Sequence, residues 1–301
     1  MDGPPAQEGW QLVTLSARTP ASLERLKGKW HDFLADPPPG FSLAGAAYTT
    51  QAGRRPFEHR CAIAAQDVAG LREGLAAKSH ARRITGKASA SAPSVVLMFP
   101  GGGAHYPGAG TELLGQPAFQ QAVDECLRAM PAEAPHDLRA IMFNTGDAAS
   151  PAADTLARPT YAMPALFTLE YALARLWESW GIKPAAVIGH SAGDYVAACL
   201  AGVMSLPDAL AVVVLRGQLF ETVSPGGMLS VDLPEAELTA LMAGLELDIA
   251  AINAPDLCIA SGPLHSITQL EERLAARGSE GRRLRIRSRA TSGWCSAITP
   301  S

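Results

Sequence analysis

The chain has 301 residues, of which 48% are hydrophobic and 18% are charged, and its formal net charge at pH 7 is −4. These values are typical of a folded protein with a sizeable core, and they give no electrostatic reason to expect nucleic-acid binding. No apolar run reaches the ~18 residues of a membrane span, and the first residues lack the pattern of a secretory signal, so we expect a cytoplasmic protein without a membrane partner. The five cysteines are widely spaced without a C-x-x-C pair, which predicts neither a disulfide framework nor a metal site.

Over residues 1–88, segments with strand periodicity alternate with segments of helical periodicity, which predicts a small α+β unit. The polar stretch TGKASASAPS at 85–94 is typical of a linker. In chain order, the sequence predicts a strand, two helices, a strand and a helix at 11–17, 20–36, 42–51, 59–65 and 67–78.

Residues 93–225 have the pattern of an α/β core. The continuous apolar run VVLMF at 95–99 is typical of a strand buried on both faces in a parallel sheet, and it leads into the Gly-rich loop PGGGAHYPGAG. A helix is predicted at 165–180, and AAVIG at 185–189 predicts a second buried strand.

Residues 226–287 predict a separate small subdomain. Their segments read as strand, helix, strand, strand, helix, strand, which is the ferredoxin-like order. The last predicted strand, RRLRIR, alternates arginine with apolar residues and indicates one wet face, either solvated or available to an acidic partner. Residues 288–301 follow no period, and we treat them as an atypical tail.

The segment GHSAG at 189–193 matches the nucleophile elbow G-x-S-x-G, in which glycines flank a serine on a tight strand-to-helix turn. A predicted strand precedes Ser191 and a predicted helix follows it, which favours a nucleophile over a serine that caps a helix. The backbone N–H of Ala192 is then a candidate oxyanion donor. The loop containing Gly101, Gly102 and Gly103 is a candidate for the second donor, and a phosphate-binding loop is the weaker alternative, since no P-loop motif is present.

Arg216 lies in the apolar segment ALAVVVLRGQLFE, where an inward-facing guanidinium would need a partner such as a substrate carboxylate. The alternative is an exposed arginine whose stem lies along the apolar surface. His190 adjoins Ser191. Because neighbouring side chains on a tight bend point apart, we expect His190 to line the substrate pocket rather than to accept the serine proton.

Together, VVLMFPGGGAHYPGAG, the segment from YAMPALF through GHSAGDYVAACLAG, RGQLF and INAPDLCIASGP resemble the acyltransferase domains of type I modular polyketide synthases and, more distantly, malonyl-CoA:acyl carrier protein transacylases. The segment from LVTLSARTP through GRRPFEHRCAIAA resembles the linker between a ketosynthase and such a domain. The resemblance implies a hydrolase-like parallel-sheet core with an inserted ferredoxin-like subdomain, preceded by the α+β linker.

The resemblance implies that Ser191 carries a malonyl-type acyl group from CoA to the phosphopantetheine arm of an acyl carrier protein. Gly102 and Ala192 match the oxyanion hole, although many members have glutamine where Gly102 stands, and Arg216 matches the arginine that pairs with the malonyl carboxylate. The implied partners are the carrier protein, a ketosynthase and the acyl-CoA, with no cofactor held by the chain. The extender unit stays open, with a weak lean towards malonyl.

The family's catalytic histidine follows the last strand of the small subdomain, whereas this sequence has no histidine beyond His265. We therefore expect a truncated or frame-shifted form of a longer sequence that is inactive or slow, with apolar core surface uncovered and poor solubility. His105 is the other candidate base by position, although a solvated or capping histidine is the expectation there. Two alternatives remain, a serine esterase using His265 and a non-catalytic docking remnant of a synthase.

Overall fold

In this computed structural model, the structure describes residues 9–77, 80–89, 91–145, 151–222 and 226–284. The chain divides into two compact units, Met1–Pro93 and Ser94–Ser301. Each unit is described by itself below. In the described ranges, no helix is both long and apolar enough to cross a membrane.

The first unit is a three-stranded antiparallel sheet in the order β1-β2-β3, packed against helices. Alternate residues of its first two strands, such as Val13 and Ile63, face a core that Leu71 closes. Thr19 caps the first helix by accepting a hydrogen bond from the Ser22 backbone N–H at 3.1 Å. The elements are β1 Gln11–Ala17, α1 Pro20–Phe33, α2 Leu43–Ala52, β2 His59–Ala65, α3 Val68–Ala76 and β3 Arg83–Lys87.

The third strand corrects one prediction in this unit. Residues 85–87, which the polar composition assigned to a linker, belong to β3 and pair antiparallel with β2, with Thr85 opposite Cys61. Four of the five β3 residues are exposed, so the strand carries almost no apolar signal. Its place depends on backbone pairing with β2, which composition does not report.

The core of the second unit is a parallel pair of strands, β4 Val96–Phe99 and β5 Ala186–Gly189, with Phe99 opposite Gly189. Phe99 and Val196 belong to its hydrophobic cluster, together with Phe119 and Phe167. The helices around it are α4 Pro117–Ala129, α5 Leu138–Met142, α6 Pro151–Leu156, α7 Pro159–Ser179, α8 Gly193–Leu200 and α9 Leu206–Thr222, with a 3₁₀ turn at Thr111–Leu113.

The two parallel strands were expected to be buried on both faces, and that expectation is wrong for the described chain. Met98 is 76% exposed, Val96 51% and Ile188 53%, whereas Leu97, Phe99 and Val187 pack on the helical core. Described residues therefore cover only one face of this sheet.

The remaining elements form the predicted ferredoxin-like subdomain. Its antiparallel sheet has the order β7-β8-β6-β9, and Leu229, Cys258, Ile267 and Leu270 fill the core between sheet and helices. The elements are β6 Gly227–Val231, α10 Glu235–Met242, β7 Asp248–Ala254, β8 Leu257–Gly262, α11 Leu264–Ala275 and β9 Gly281–Arg283. Predicted strand residues 285–287 and the tail lie outside the described residues. The whole is an α/β fold, as the sequence predicts.

A buried carboxyl group stands out on α7. Glu170 is only 5% exposed, and neither of its side-chain oxygens has a hydrogen-bond partner in the described chain. Burial raises the pKa of Glu170 to about 8, because an apolar environment disfavours the charged form. The folded chain therefore holds this carboxyl protonated at pH values where the unfolded chain ionises it.

This difference predicts a pH-dependent penalty. Below about pH 4.5 the carboxyl of Glu170 is protonated in both the folded and the unfolded chain, so its burial carries no ionisation penalty. As the pH rises from there to about 8, only the unfolded chain ionises this carboxyl, and the free energy of unfolding falls progressively. We expect Glu170→Gln to remove this loss, so that the variant exceeds the wild type in free energy of unfolding by about 3 kcal/mol more at pH 8 than at pH 5. Urea unfolding at both pH values measures the difference. Glu178→Gln, at a half-buried position of α7 where the carboxylate pairs with Arg175, is the control. Equal changes in the free energy of unfolding between the two pH values for wild type and Glu170→Gln would contradict the prediction.

Candidate active site

Ser191 lies on a sharp bend between β5 and α8. Its φ angle is 53°, and it is the only non-glycine residue with a positive φ among the described residues. An L-residue in this left-handed region carries a backbone strain of roughly 1–2 kcal/mol, so the surrounding structure has to enforce it. The residue is exposed, and in the described chain its hydroxyl has no hydrogen-bond partner. The bend therefore presents a free hydroxyl to solvent at the carboxyl end of a parallel strand.

The two glycines of GHSAG are required by close backbone contacts. A Cβ atom on Gly189 would lie 2.2 Å from the backbone nitrogen of Asp194, and one on Gly193 would lie 2.2 Å from the carbonyl oxygen of Phe99. Real Cβ atoms do not approach backbone atoms this closely. The motif thus reflects sterics of the turn, as the sequence analysis assumed.

The Gly-rich loop lies directly against this bend. A Cβ on Gly101 would be 3.2 Å from Cβ of Ser191 and 2.9 Å from the carbonyl oxygen of His190. The His190 backbone N–H donates to the Phe99 carbonyl at 2.9 Å, which ties the end of β5 to the end of β4. Gly103 has a φ of +97°, a conformation that glycine adopts freely. The parallel pairing therefore brings the loop and the serine together.

Two backbone N–H groups flank the contact between the bend and the loop, because Ala192 follows Ser191 and Gly102 follows Gly101. The N–H of Gly193 donates to the His190 carbonyl at 3.0 Å, but the described hydrogen bonds include none from the N–H groups of Ala192 or Gly102. Ala192 immediately precedes α8, where unpaired N–H groups and the helix dipole favour negative charge. This arrangement can stabilise an oxyanion on a group attached to Ser191.

Arg216 is half-buried on α9 and faces the first turn of α8. Its guanidinium donates to the Tyr195 hydroxyl at 3.1 Å and lies 5.4 Å from the centroid of the Tyr195 ring and 5.0 Å from that of Phe220. No carboxylate pairs with it in the part of the chain that the structure describes. Aromatic contacts hold the cation in place and leave part of its donor capacity for an anion.

Sequence reasoning missed Tyr195, which connects Arg216 to the serine segment. Tyr195 follows Ser191 by one helical turn, so the hydroxyl that accepts from Arg216 belongs to the same short helix as the bend. The signal available was an aromatic residue with a polar tip in an otherwise small and apolar helix, DYVAACL.

His190 and His105 occupy different environments. The exposed His190 ring lies over the loop, with Nδ1 2.9 Å from the Cβ position of Gly101. His105, expected to be solvated or capping, is half-buried against the end of α6. Burial lowers the pKa of His105, opposed by a hydrogen bond to the backbone of Leu156, and its Nδ1 has no partner in the described chain. The loop folds back onto the end of α6, so His105 makes a capping contact there rather than facing solvent.

The histidines of the described chain make no contact with the Ser191 hydroxyl that would mark a base. All seven lie in the described ranges, and none hydrogen-bonds the Ser191 hydroxyl. His265 lies on α11 of the small subdomain. The described residues also contain no group of three or more His, Cys, Asp or Glu side chains able to hold a metal ion. Cys61, Cys126 and Cys258 are buried and Cys199 is half-buried.

Two family profiles match this chain. The profile described as "Acyl transferase domain" matches residues 96–300, and a second, described as "CurL-like, PKS C-terminal", matches residues 11–75. The first match covers more than half of the chain and includes the bend, the Gly-rich loop and Arg216, as well as the tail that the sequence analysis set apart.

Curated relatives are large polyketide synthases. The spectinabilin polyketide synthase system protein NorA′ of Streptomyces orinoci is 35% identical over 292 residues, which is 94% of this chain and 8% of that protein. Erythronolide synthase EryA3 of Saccharopolyspora erythraea is 34% identical over 279 residues, 91% of this chain and 8% of that protein. The chain therefore spans less than a tenth of the length of these relatives.

Solved structures give the same assignment. The acyl transferase domain of ZmaA superposes with a TM-score of 0.82 at 34% identity, covering 98% of this chain and 68% of that one. The acyl transferase domain of SpnD, solved with 2-(pent-4-yn-1-yl)malonyl, has a TM-score of 0.78 at 33% identity, covering 93% of this chain and 65% of that one.

Proposed function

This chain belongs to the acyl transferase domain family of modular polyketide synthases, and on that premise we propose that Ser191 accepts a malonyl-type extender unit from CoA and passes it to an acyl carrier protein. The observation that carries the proposal is the exposed Ser191 hydroxyl at a φ of 53°, on a bend that lies against the Gly-rich loop. A serine held in a strained turn at the start of a helix is the geometry of an acyl-accepting nucleophile.

The proposed reaction has two half-steps. Ser191 Oγ attacks the thioester carbonyl, the C–S bond breaks, and the serine proton ends on the CoA thiol as the acyl-serine ester forms. The thiol of the carrier protein's phosphopantetheine arm then attacks the ester carbonyl, and its proton returns to Ser191 Oγ as the new thioester is released. No net oxidation occurs, and the chemistry needs no metal or organic cofactor held by the chain.

The backbone N–H groups of Gly102 and Ala192 would stabilise the tetrahedral oxyanion of each half-step. Such donors contribute most when they point at the position where the negative charge develops. Gly102 supplies a main-chain donor, so the absence of the glutamine common at this position does not remove the hydrogen bond itself. His190, lying over Gly101, would line the entry to the serine.

Because no histidine hydrogen-bonds Ser191 among the described residues, we propose that the transfer by this chain is slow. General-base catalysis typically raises a rate about 10²–10⁴-fold. A chain without the base would be slower by that factor and would keep its nucleophile and its backbone donors. Because alkoxide formation then depends on solvent base, we expect the acylation rate to rise about tenfold per pH unit from pH 7 to 9 without a plateau. A plateau in this range would indicate an internal base.

Further parts of the proposal concern partners and location. The unit at residues 11–75 matches a profile of the C-terminal part of polyketide synthases, and we propose that it adjoins a ketosynthase. The acyl donor would be an acyl-CoA and the acceptor a carrier protein, all in the cytoplasm. The SpnD domain was solved with a substituted malonyl group, which supports a malonyl-type substrate here.

The assay that tests the proposed function is transfer of radiolabelled malonyl from CoA to a phosphopantetheinylated carrier protein. We expect label on the carrier protein in proportion to the amount of chain, above the rate without it. Release of free malonate with no label on the carrier protein would instead indicate a thioesterase.

Arg216 gives a specificity prediction. If its guanidinium pairs with the substrate carboxylate, Arg216→Met lowers acylation by malonyl-CoA roughly 10–100-fold, while acylation by acetyl-CoA changes less than about threefold. Comparing acyl-enzyme formation from the two thioesters by intact-mass spectrometry measures this. Arg175→Met, on the surface of α7, is the control. An equal loss with both thioesters would show that Arg216 supports the fold rather than the carboxylate.

A further inference from the structure

Two adjoining cavities lie in the first unit, where α1 and α2 meet the sheet. Their volumes are about 650 Å³ and about 610 Å³. Each volume falls within the range of about 300–1,000 Å³ that is typical of small-molecule sites. Four residues line both cavities, namely Leu26, Trp30, Thr50 and Arg54. A single ligand that passes these four residues could therefore occupy both cavities.

The larger cavity, which we call the aromatic cavity, is lined by three aromatic rings. The centroid of the Phe33 ring lies 6.3 Å from that of Trp30 and 5.5 Å from that of Phe41, in edge-to-face contacts. Phe33 is 44% exposed, and the other two rings are half-buried. Rings that remain accessible in this way offer faces on which a planar ring system can stack.

The smaller cavity, which we call the cationic cavity, is lined by Arg54, Arg55 and Arg60. No aspartate or glutamate is among the residues that line either cavity. Within the described part of the first unit, the ion pairs formed by carboxylates involve other residues and none of these three arginines. Their guanidinium groups thus face the cavity without a neutralising acid.

Phe57 gathers these arginines at one place. The Cζ atom of Arg55 lies 5.9 Å from the centroid of the Phe57 ring, and that of Arg18 lies 5.4 Å from it. Arg60 Nε donates to the Phe57 carbonyl at 3.0 Å, and the Phe57 backbone N–H donates to Ser16 Oγ at 3.0 Å. Guanidinium groups held close together repel one another, so an anion that joins them is favoured.

The charge of the sequence follows the same division. Residues 1–93 contain 12 lysines and arginines against 8 aspartates and glutamates, whereas the whole chain has a net charge of −4. The first unit is therefore positively charged within a negatively charged chain. This excess of positive charge attracts an anionic ligand to the first unit.

We propose that the two cavities together bind a nucleoside diphosphate, with its base in the aromatic cavity and its phosphates in the cationic cavity. The guanidinium fork pairs bidentately with phosphate oxygens, which suits the three arginines. Trp30 and Arg54 line both cavities, so the ribose would lie beside them. Aromatic rings adjoining an acid-free group of arginines favour a ligand with a planar base and a phosphate chain over a bare anion.

This chemistry occurs both in a free nucleotide and in the nucleotide end of CoA. Ser191 and Arg216 belong to the second unit and line neither cavity, so the inference is independent of the acyl transfer proposed above. A chain unable to transfer malonyl could bind the nucleotide, and a chain unable to bind the nucleotide in the first unit would keep its proposed nucleophile.

The test titrates the full chain with ADP by calorimetry. We expect saturable binding below about 1 mM, and we expect adenosine and inorganic pyrophosphate each to bind at least about tenfold more weakly. Displacement of ADP by CoA would identify the nucleotide end of CoA as a ligand, and the absence of displacement would identify the free nucleotide; both results support the site. No saturation by about 1 mM, or pyrophosphate binding as tightly as ADP, would overturn the proposal.

Variants of exposed residues locate the site. Arg54→Gln combined with Arg55→Gln should weaken ADP at least about tenfold and leave adenosine unchanged. Phe33→Ala should weaken ADP at least about fivefold and leave pyrophosphate unchanged. Arg72→Gln, an exposed arginine on α3 that lines neither cavity, is the matched control and should bind as wild type. Wild-type affinity for ADP in the double arginine variant would place the nucleotide elsewhere and overturn the proposal.

Discussion

Replacing Ser191 with alanine is expected to lower malonyl transfer to a carrier protein to the rate without the chain. The alanine removes the only atom that the proposed mechanism acylates, so no part of the two-step route remains. Binding of the acyl-CoA should persist, because Arg216 and the loop donors are untouched. Initial rates with radiolabelled malonyl-CoA, together with a binding isotherm for the CoA thioester, measure both effects.

Ser94→Ala is the matched control for this experiment, because Ser94 is an exposed serine of the same unit with no described side-chain hydrogen bond. It should transfer at the wild-type rate. If Ser191→Ala retained more than about a tenth of the wild-type rate, direct transfer between the two thiols or another nucleophile would have to replace the acyl-serine route.

Gly193→Ala is expected to lower the free energy of unfolding by about 3 kcal/mol or more. The added methyl would lie 2.2 Å from the Phe99 carbonyl oxygen and 2.7 Å from that of Pro100, and both are backbone atoms that cannot turn aside. To relieve the clash, α8 must move away from the end of β4, which separates the serine bend from the Gly-rich loop. The same change should therefore lower acylation as well as stability.

Urea unfolding monitored by circular dichroism measures the stability difference. Gly115→Ala is the control, since a Cβ there has no neighbouring atom within 4 Å and its φ is not positive. We expect that variant to lie within about 0.5 kcal/mol of wild type. If Gly193→Ala were as stable as Gly115→Ala, the contact between α8 and β4 would not be as close as the structure places it.

The serine bend could be predicted because its determinants are local. Strand, glycine, serine, glycine and helix follow one another within residues 186–200, and the steric need for Gly189 and Gly193 operates largely within that stretch. The ferredoxin-like subdomain could also be predicted, because each strand and helix shows its own period.

The features that sequence reasoning missed depend on contacts between distant segments. In the sequence, the segments that contain the exposed residues Val96, Met98 and Ile188 have the pattern of buried apolar strands. The pattern shows which side chains a strand could bury, but not whether another element covers them. Tyr195 meets Arg216 only because α8 and α9 pack together. His105 is half-buried because its loop turns back on the end of α6, and β3 forms only because β2 offers it an edge for pairing.

The most direct test of the account is to locate the acyl group after incubation with malonyl-CoA, by proteolysis and tandem mass spectrometry. We predict that the peptide containing residues 186–202 carries the malonyl mass as an ester on Ser191, and that Arg216→Met reduces this adduct. An adduct on Cys199 in the same peptide, or on a residue elsewhere with Ser191 unmodified, would contradict the central claim.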